Sequence, residues 1–341
     1  AADEPRPSGT RVRDLDEEAL LGALTPALPV GRRTLVGPGD DAALVEAPDG
    51  RLVVSTDVLV EGHHFRREWS SGYDVGWRAA VQNLADVAAM GALPTAVVVA
   101  LVVPADLEVA WLVDLAHGLA AACGPHGVGV VGGDLSAGEE VVCAVTVSGD
   151  LAGLRPVLRS GARPGDVVAL AGVVGRSAAG LAVLESALDG GMESLPAALA
   201  DVVGAYLRPD PPITAGPEAA QAGATAMIDL SDGLLRDAGR IAAASGVVVD
   251  LDPLERAFEP DILAVTAAAD AVDRDPVAWV LTGGEDHGLL AAFPPDVPLP
   301  AGFRPIGRVR EPDERTPAGV VLVDGRAAPV SGLGWDHFAG S

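Results

Sequence analysis

Leu52-Val-Val-Ser-Thr-Asp-Val-Leu-Val60 is a short β-branched run flanked by turn residues. It reads as a buried β-strand with one carboxylate, Asp57, set in its middle. A carboxylate in such a place is costly unless it is paired or bound to a metal ion. The pattern recurs outward in both directions. Asp86 lies in Ala79–Met90, where only Gln82, Asn83 and Asp86 are strongly polar, and a helix apolar nearly all round is usually a buried one. Asp134 ends Val130-Val-Gly-Gly-Asp134, and Asp40 and Asp41 follow Gly37-Pro-Gly39. Asp229 and Asp232 bracket Ser231 at a strand-to-helix junction, and Thr282-Gly-Gly-Glu-Asp286 joins two runs that read as strands.

Strands and helices alternate around these acids. Strands are expected at Leu52–Val60, Ala96–Val103, Gly127–Val131, Glu140–Val147, Asp166–Ala171, Thr225–Leu230, Val247–Leu251, Ala278–Thr282 and Gly288–Phe293. Helices are expected at Asp14–Leu24, Tyr73–Met90, Glu108–Cys123, Ser177–Leu188 and Gly233–Ala244. The fold class is therefore α/β (α+β) in two domains. A polar arm and helix occupy residues 1–33, an N-terminal domain 34–150 and a C-terminal domain 151–341, with the boundary in the aperiodic stretch Gly149–Pro164.

Composition removes whole classes of function. A chain of 341 residues with 49% apolar content has room for two cores. Its net charge of −25 argues against a nucleic-acid surface, whose affinity comes from cationic contacts to phosphate. No apolar run approaches the roughly 18 residues needed to span a bilayer, and Ala1 to Arg13 lacks a signal peptide's apolar stretch. Cys123 and Cys143 form neither a disulfide framework nor a CxxC pair, so a cytoplasmic protein is expected. All 23 cationic side chains are arginine. Without lysine there is no Walker A loop, no kinase strand lysine and no Schiff base. Phosphates would have to be handled by metal ions, backbone N–H groups and arginine.

Each acidic position also has a plainer reading. Asp134 fits a turn, Asp40 and Asp41 a solvated loop, and Ser231 or Asp232 a helix cap. Asp57 and Asp86 fit carboxylates satisfied by Arg78 or Arg66. Gly172-Val-Val-Gly175-Arg-Ser-Ala-Ala-Gly180 fits either a phosphate at a helix N-terminus or tight packing. His63 and His64 beside Phe65 fit ligand contacts or a loop surface. What favours chemistry is repetition: an apolar strand runs again and again into Gly, Ser or Thr next to Asp, the oxygen donors that a hard cation such as Mg2+ takes. Alternation along the strand turns Thr56 away from Ser55 and Asp57.

Taken together, the motifs resemble the thiamine-monophosphate kinase family, of the superfamily that includes aminoimidazole ribonucleotide synthetase. The matching pieces are Gly37-Pro-Gly-Asp-Asp-Ala-Ala, Ser55-Thr-Asp-Val-Leu-Val-Glu-Gly-His-His-Phe65, Asn83-Leu-Ala-Asp-Val-Ala-Ala-Met-Gly-Ala92 and Gly132-Gly-Asp134. They continue with Arg159-Ser-Gly-Ala, Tyr206-Leu-Arg-Pro, Ile228-Asp-Leu-Ser-Asp-Gly233, Thr282-Gly-Gly-Glu-Asp286 and Gly334-Trp-Asp-His-Phe338. The family often continues the late motif with Tyr-Glu, where this chain has His287-Gly288.

The resemblance implies an ATP-binding N-terminal domain with a mixed sheet that pairs in a homodimer, and a C-terminal α/β domain. It implies ATP-dependent conversion of thiamine monophosphate to thiamine diphosphate. The Mg2+ ligands it implies are Asp41, Ser55, Thr56, Asp57, Asp86, Asp134, Asp229 and Asp232. ATP would meet Gly133, Asp134, Arg159 and Ser231, and the thiamine substrate His64, Glu285 and Trp335. No general base is implied.

Two other readings compete. One is another ATP-using member of the superfamily, such as a purine-pathway synthetase. Selenophosphate synthetases and hydrogenase-maturation proteins fit less well, because the first cysteine here is Cys123 and the chain ends Phe-Ala-Gly-Ser341. The other is a non-enzymatic acidic cation-binding protein, although no EF-hand spacing surrounds the aspartates.

Overall fold

In the computed structural model, which describes residues 9–37, 43–186 and 197–334, the chain divides into two units. One comprises Ala1–Leu84 and Pro94–Asp150, the other Ala85–Leu93 and Leu151–Ser341. The first unit carries α1 (Glu17–Leu24), β1 (Thr34–Val36), β2 (Leu44–Val45), β3 (Val53–Val60), α2 (Gly72–Ala89), β4 (Leu93–Pro104), α3 (Val109–Cys123), β5 (Gly129–Gly138) and β6 (Val142–Asp150). Helix α1 starts later than the sequence suggests because the Asp16 side chain caps it, accepting the Ala19 N–H at 2.8 Å. Helix α2 opens on a capping box, in which Asp74 accepts the N–H and hydroxyl of Ser71 while Ser71 Oγ accepts the Asp74 N–H.

Among the described residues, β3, β6, β4 and β5 lie side by side in that order. The sheet is mixed: β3 and β6 run antiparallel, β4 and β5 parallel. Helices α2 and α3 approach so closely that a Cβ on Gly76 would lie 2.0 Å from the Leu115 carbonyl oxygen, and one on Gly118 2.1 Å from that of Tyr73. Glycine at these positions is a packing requirement.

The strand Val53–Val60 is not buried, contrary to the sequence expectation. It is the edge of its sheet, and Val54, Thr56 and Val58 are exposed while Ser55, Asp57 and Leu59 alternate with them on the other side. β5 also departs from expectation, because it does not stop at Asp134. A bulge opposite Val97 and Val98 absorbs one residue, and pairing with β4 continues through Gly132, Gly133 and Asp134 to Gly138.

The second unit carries β7 (Val167–Ala171), α4 (Arg176–Ser186), α5 (Ala197–Leu207), α6 (Ala215–Ala222), β8 (Ala226–Asp229), α7 (Leu234–Ser245) and β9 (Val248–Leu251). It continues with α8 (Leu254–Ala257), α9 (Glu259–Val272), α10 (Pro276–Thr282), β10 (Leu289–Phe293), β11 (Phe303–Arg310), β12 (Val321–Val323) and β13 (Arg326–Ala327). The described strands form one mixed sheet in the order β13-β12-β9-β11-β7-β10-β8. β10 is buried along its whole length, consistent with its place between β7 and β8. Ala278–Thr282 is helical, not a strand. Asp275 caps α10 by accepting the Val277 N–H at 2.9 Å, and Pro276 occupies its first turn. The Thr282–Asp286 segment therefore joins a helix to a strand. No described helix is long and apolar enough to cross a membrane.

Candidate active site

In the first unit, strand geometry sorts the oxygen donors. Ser55 and Asp57 stand opposite Val147 and Val145 of β6 on one side of the sheet. Thr56 faces the other way, and its hydroxyl lies 3.0 Å from both the Val145 carbonyl oxygen and Thr146 Oγ1. The Thr56 side chain is thus parted from Ser55 and Asp57, as strand alternation predicts, although the family resemblance groups the three as ligands. Asp134 is exposed on β5 and accepts the Ser136 hydroxyl at 3.1 Å. Its neighbour Gly133 has no room for a side chain, since a Cβ would sit 2.0 Å from the Val99 carbonyl oxygen.

His64 is held from two directions. The Val60 N–H donates to its Nδ1 at 3.0 Å, and Arg78 donates to its carbonyl oxygen at 3.0 Å. With Nδ1 accepting, the neutral ring carries its proton on Nε2.

In the second unit, Asp86 is the only residue between Arg78 and Ala89 that is not buried. Elsewhere in that unit, β8 ends on Asp229, and the segment after α10 runs back along it. The Leu230 N–H donates to the Gly288 carbonyl, the His287 N–H to that of Leu230, and the Glu285 N–H to that of Ser231. Glu285 and His287 both adopt left-handed backbone, with φ of 70° and 53°, a conformation non-glycine residues hold only where the surroundings impose it. Gly284 must be glycine, because a Cβ there would lie 2.2 Å from the Ser231 carbonyl oxygen.

These backbone ties bring His287 to Asp229 and Glu285. His287 Nδ1 is 3.3 Å from Asp229 Oδ2, and its Nε2 is 3.8 Å from Glu285 Oε2. Burial alone would lower the imidazole pKa, but the two carboxylates raise it to about 10. The sequence leaves the effect of His287 unassigned, and the structure places it between two expected site residues.

Asp232 belongs to a second cluster. Its carboxylate is bonded by Arg240, whose other nitrogen donates to Asp237 Oδ1 at 2.6 Å, and the Asp232 N–H donates to Asp237 Oδ2 at 3.0 Å. Burial, aided by the charges of Asp229 and Asp232, pushes Asp237 up to about 7. Asp237 and Arg240 carry no motif of their own, yet the signal is in the pattern. Asp237 interrupts the buried stripe Leu234, Leu235, Ala238, Ile241 and Ala242 of α7. Arg159 is exposed, in a loop whose carbonyl oxygen accepts the Ser245 hydroxyl at 3.1 Å.

Asp41 and Trp335 lie outside the described residues. Among those described, no three His, Cys, Asp or Glu side chains gather as one metal site. The donor chemistry does suit a hard cation, since the expected ligands are all oxygen donors.

Two family models match the chain, AIR synthase related protein, N-terminal domain, over residues 39–151 and the corresponding C-terminal domain over 163–293. The thiamine-monophosphate kinase of Mycobacterium tuberculosis (strain CDC 1551 / Oshkosh) is 46% identical over 96% of this chain and 93% of its own. The chain belongs to the thiamine-monophosphate kinase family. The family's enzyme from Escherichia coli (strain K12) is 35% identical over 89% of this chain and 92% of its own. A solved structure described as AaThiL complexed with AMPPCP and TMP matches with a TM-score of 0.73 and 31% identity, over 97% of this chain and 100% of that one. Hydrogenase maturation protein HypE in complex with ATP shares the fold at 20% identity, TM-score 0.65, over 86% of this chain and 89% of its own.

Proposed function

We propose that this chain transfers the terminal phosphoryl group of ATP to the phosphate of thiamine monophosphate, giving thiamine diphosphate and ADP. The observation that carries the reading is likeness along nearly the whole chain to kinases named for that substrate.

The chemistry is consistent with a protein that has no lysine. The attacking group is a phosphate monoester oxygen whose second pKa is about 6, so it is already anionic at neutral pH. No general base is needed, and none is assigned. The obstacle is the approach of two anions, and positioning with charge stabilisation meets it. Bound Mg2+ would supply charge neutralisation and alignment for in-line attack. Asp41, Ser55, Asp57, Asp86, Asp134, Asp229 and Asp232 would hold it. Thr56 would contribute main-chain oxygen only, since its hydroxyl is engaged across the strand pair. Asp232 would share its carboxylate with Arg240.

Gly133, Asp134, Arg159 and Ser231 would bind ATP, and His64, Glu285 and Trp335 would contact the thiamine moiety. A homodimer is part of the same reading, supported by the exposed valines of β3. A cytoplasmic setting accords with Cys123 and Cys143, both buried and unbridged, with thiols pushed up to about 12 by burial.

The deciding experiment is turnover of thiamine monophosphate with Mg·ATP, scored chromatographically for thiamine diphosphate. Thiamine and aminoimidazole precursors serve as competing substrates. ADP release with an aminoimidazole precursor and none with thiamine monophosphate would move the chain to the purine-type synthetases. Cation binding with no nucleotide binding would make it a non-enzymatic acidic protein.

A further inference from the structure

The buried imidazole of His287 stands between two carboxylates of different exposure. Asp229 and His287 are each under 5% exposed, whereas the Glu285 side chain is 35% exposed. Glu285 is the solvent-facing member of the three, and His287 and Asp229 are equally buried. His287 Nδ1 is anchored on Asp229 at 3.3 Å. Its Nε2 is buried with no hydrogen-bond partner among the described residues, and the carboxylate facing it, Glu285, is 3.8 Å away. That separation is an ion-pair contact just beyond a hydrogen bond, and a buried N–H without a hydrogen bond is costly. The backbone cannot drift to relieve it, since the N–H groups of Glu285 and His287 are fixed to Ser231 and Leu230.

We propose that His287 is a positioning residue, anchored on Asp229, that aims the Glu285 carboxylate at the cationic, nitrogen-rich thiamine part of the substrate. This rests on the kinase reading above. Glu285 touches the ligand, and His287 acts through it. Closure of the 3.8 Å gap accompanies binding of the thiamine group, so His287 affects recognition of the phosphate acceptor and leaves recognition of ATP alone.

Two substitutions separate the nitrogens. His287→Asn keeps an N–H donor near the Nδ1 position and loses the reach to Glu285, and asparagine tolerates the left-handed backbone here. His287→Gln places its nitrogen near Nε2 and keeps that reach. H287N should raise KM for thiamine monophosphate roughly tenfold, about the worth of one oriented hydrogen bond. KM for Mg·ATP should stay within about twofold, and kcat should change less than KM does. H287Q should restore KM for thiamine monophosphate to within about threefold of wild type. The calorimetric Kd for thiamine monophosphate, measured without ATP, should follow the same order. In the Glu285→Gln background, H287N should add nothing further.

Wild-type protein without turnover of thiamine monophosphate overturns the kinase reading and this proposal together. With wild-type turnover present, equal effects of H287N and H287Q, a matching rise in KM for ATP, or additivity with E285Q overturns the role of His287 alone. Where H287N does not fold, a tenfold rise in KM for thiamine monophosphate in H287Q does the same.

Discussion

The carboxylate of Asp286 accepts the backbone N–H of Gly175 at 2.6 Å, joining positions 111 residues apart in the chain. Its other oxygen accepts the Ser177 N–H at 2.8 Å. Together they cap the first turn of α4, where N–H groups lack partners within the helix and a negative charge is favoured. The glycine turn Gly172–Gly180 could be read from sequence as a phosphate cradle or as tight packing. Two of its amides, those of Gly175 and Ser177, are taken by the protein's own carboxylate, which favours the packing reading of the turn.

Asp286 makes a pH-dependent contribution to stability. Burial raises its pKa to about 7 against the pull of the two N–H donors. Since this lies above the unfolded value, the folded state takes up a proton between about pH 4 and 7. Stability from this group is therefore greatest at the acid end of the window and declines as pH rises to 7. Asp286→Asn cannot titrate and turns an amide donor toward one helix N–H, which should destabilise by about 1–3 kcal/mol. The gap in stability between wild type and D286N should be widest near pH 4 and narrow toward pH 8, measured by urea titration at each pH. A gap that grows with pH contradicts the assignment.

Asp134 offers the cleanest test of the metal reading. It is exposed, with the Ser136 hydroxyl donating to it, so removing its charge should leave the fold intact. Asp134→Asn should melt within a few degrees of wild type while kcat falls by roughly a hundredfold or more, as expected of a group acting electrostatically on the transition state. Chelation with EDTA should abolish wild-type turnover and added Mg2+ restore it. Near-wild-type turnover of D134N at saturating Mg2+ would falsify the assignment.

Strand and helix periodicity singled out the acids of the candidate site as buried, which holds for Asp229 and Asp232 but not for Asp57, Asp86 or Asp134, and the other departures have definite physical causes. Ala278–Thr282 is apolar and short, and periodicity does not separate a strand from one turn of helix at that length. The decisive information sat just before it, in the cap Asp275 and in Pro276. Val53–Val60 looked buried because Val54, Thr56, Val58 and Val60 make one of its faces wholly β-branched, but on an edge strand such a face can be the exposed one. The link between His287, Asp229 and Glu285 was invisible for another reason. It depends on pairing between segments 58 residues apart and on two left-handed residues, neither of which leaves a periodic mark. Asp237 and Arg240 were within reach, as an acid on an apolar helical stripe and an arginine one turn later.

Arg240 is the cation that makes the Asp232–Asp237 pair tolerable. It bonds both carboxylates, and Asp237 is fully buried. Arg240→Gln leaves Asp237 with the Asp232 N–H among the recorded donors, so about 1–3 kcal/mol of stability should be lost, less than for a fully buried pair because Arg240 is partly exposed. Arg240→Lys should recover less than half of that, since an ammonium cannot fork across two carboxylates. Equal midpoints of R240Q and wild type in urea would show that the pair contributes nothing.

The exposed face of β3 makes a prediction about assembly. Val54 is 62% exposed and Val58 44%, and Thr56 lies between them on the same side of an edge strand. The register continues that face across β6 through Ser148, Thr146 and Ala144. A long edge strand whose exposed face is apolar and uncharged is a site for pairing or aggregation unless a partner covers it. Light scattering of the wild-type chain should therefore give about twice the 34.3 kDa monomer mass. Val58→Asp puts a charge in the middle of the face and should return the mass toward that of one chain. Because the Val58 side chain points away from the buried side of the sheet, the melting curve of V58D should remain a single cooperative transition. A monomeric wild type, or a V58D variant of unchanged mass, would mean that the valines serve something other than self-association.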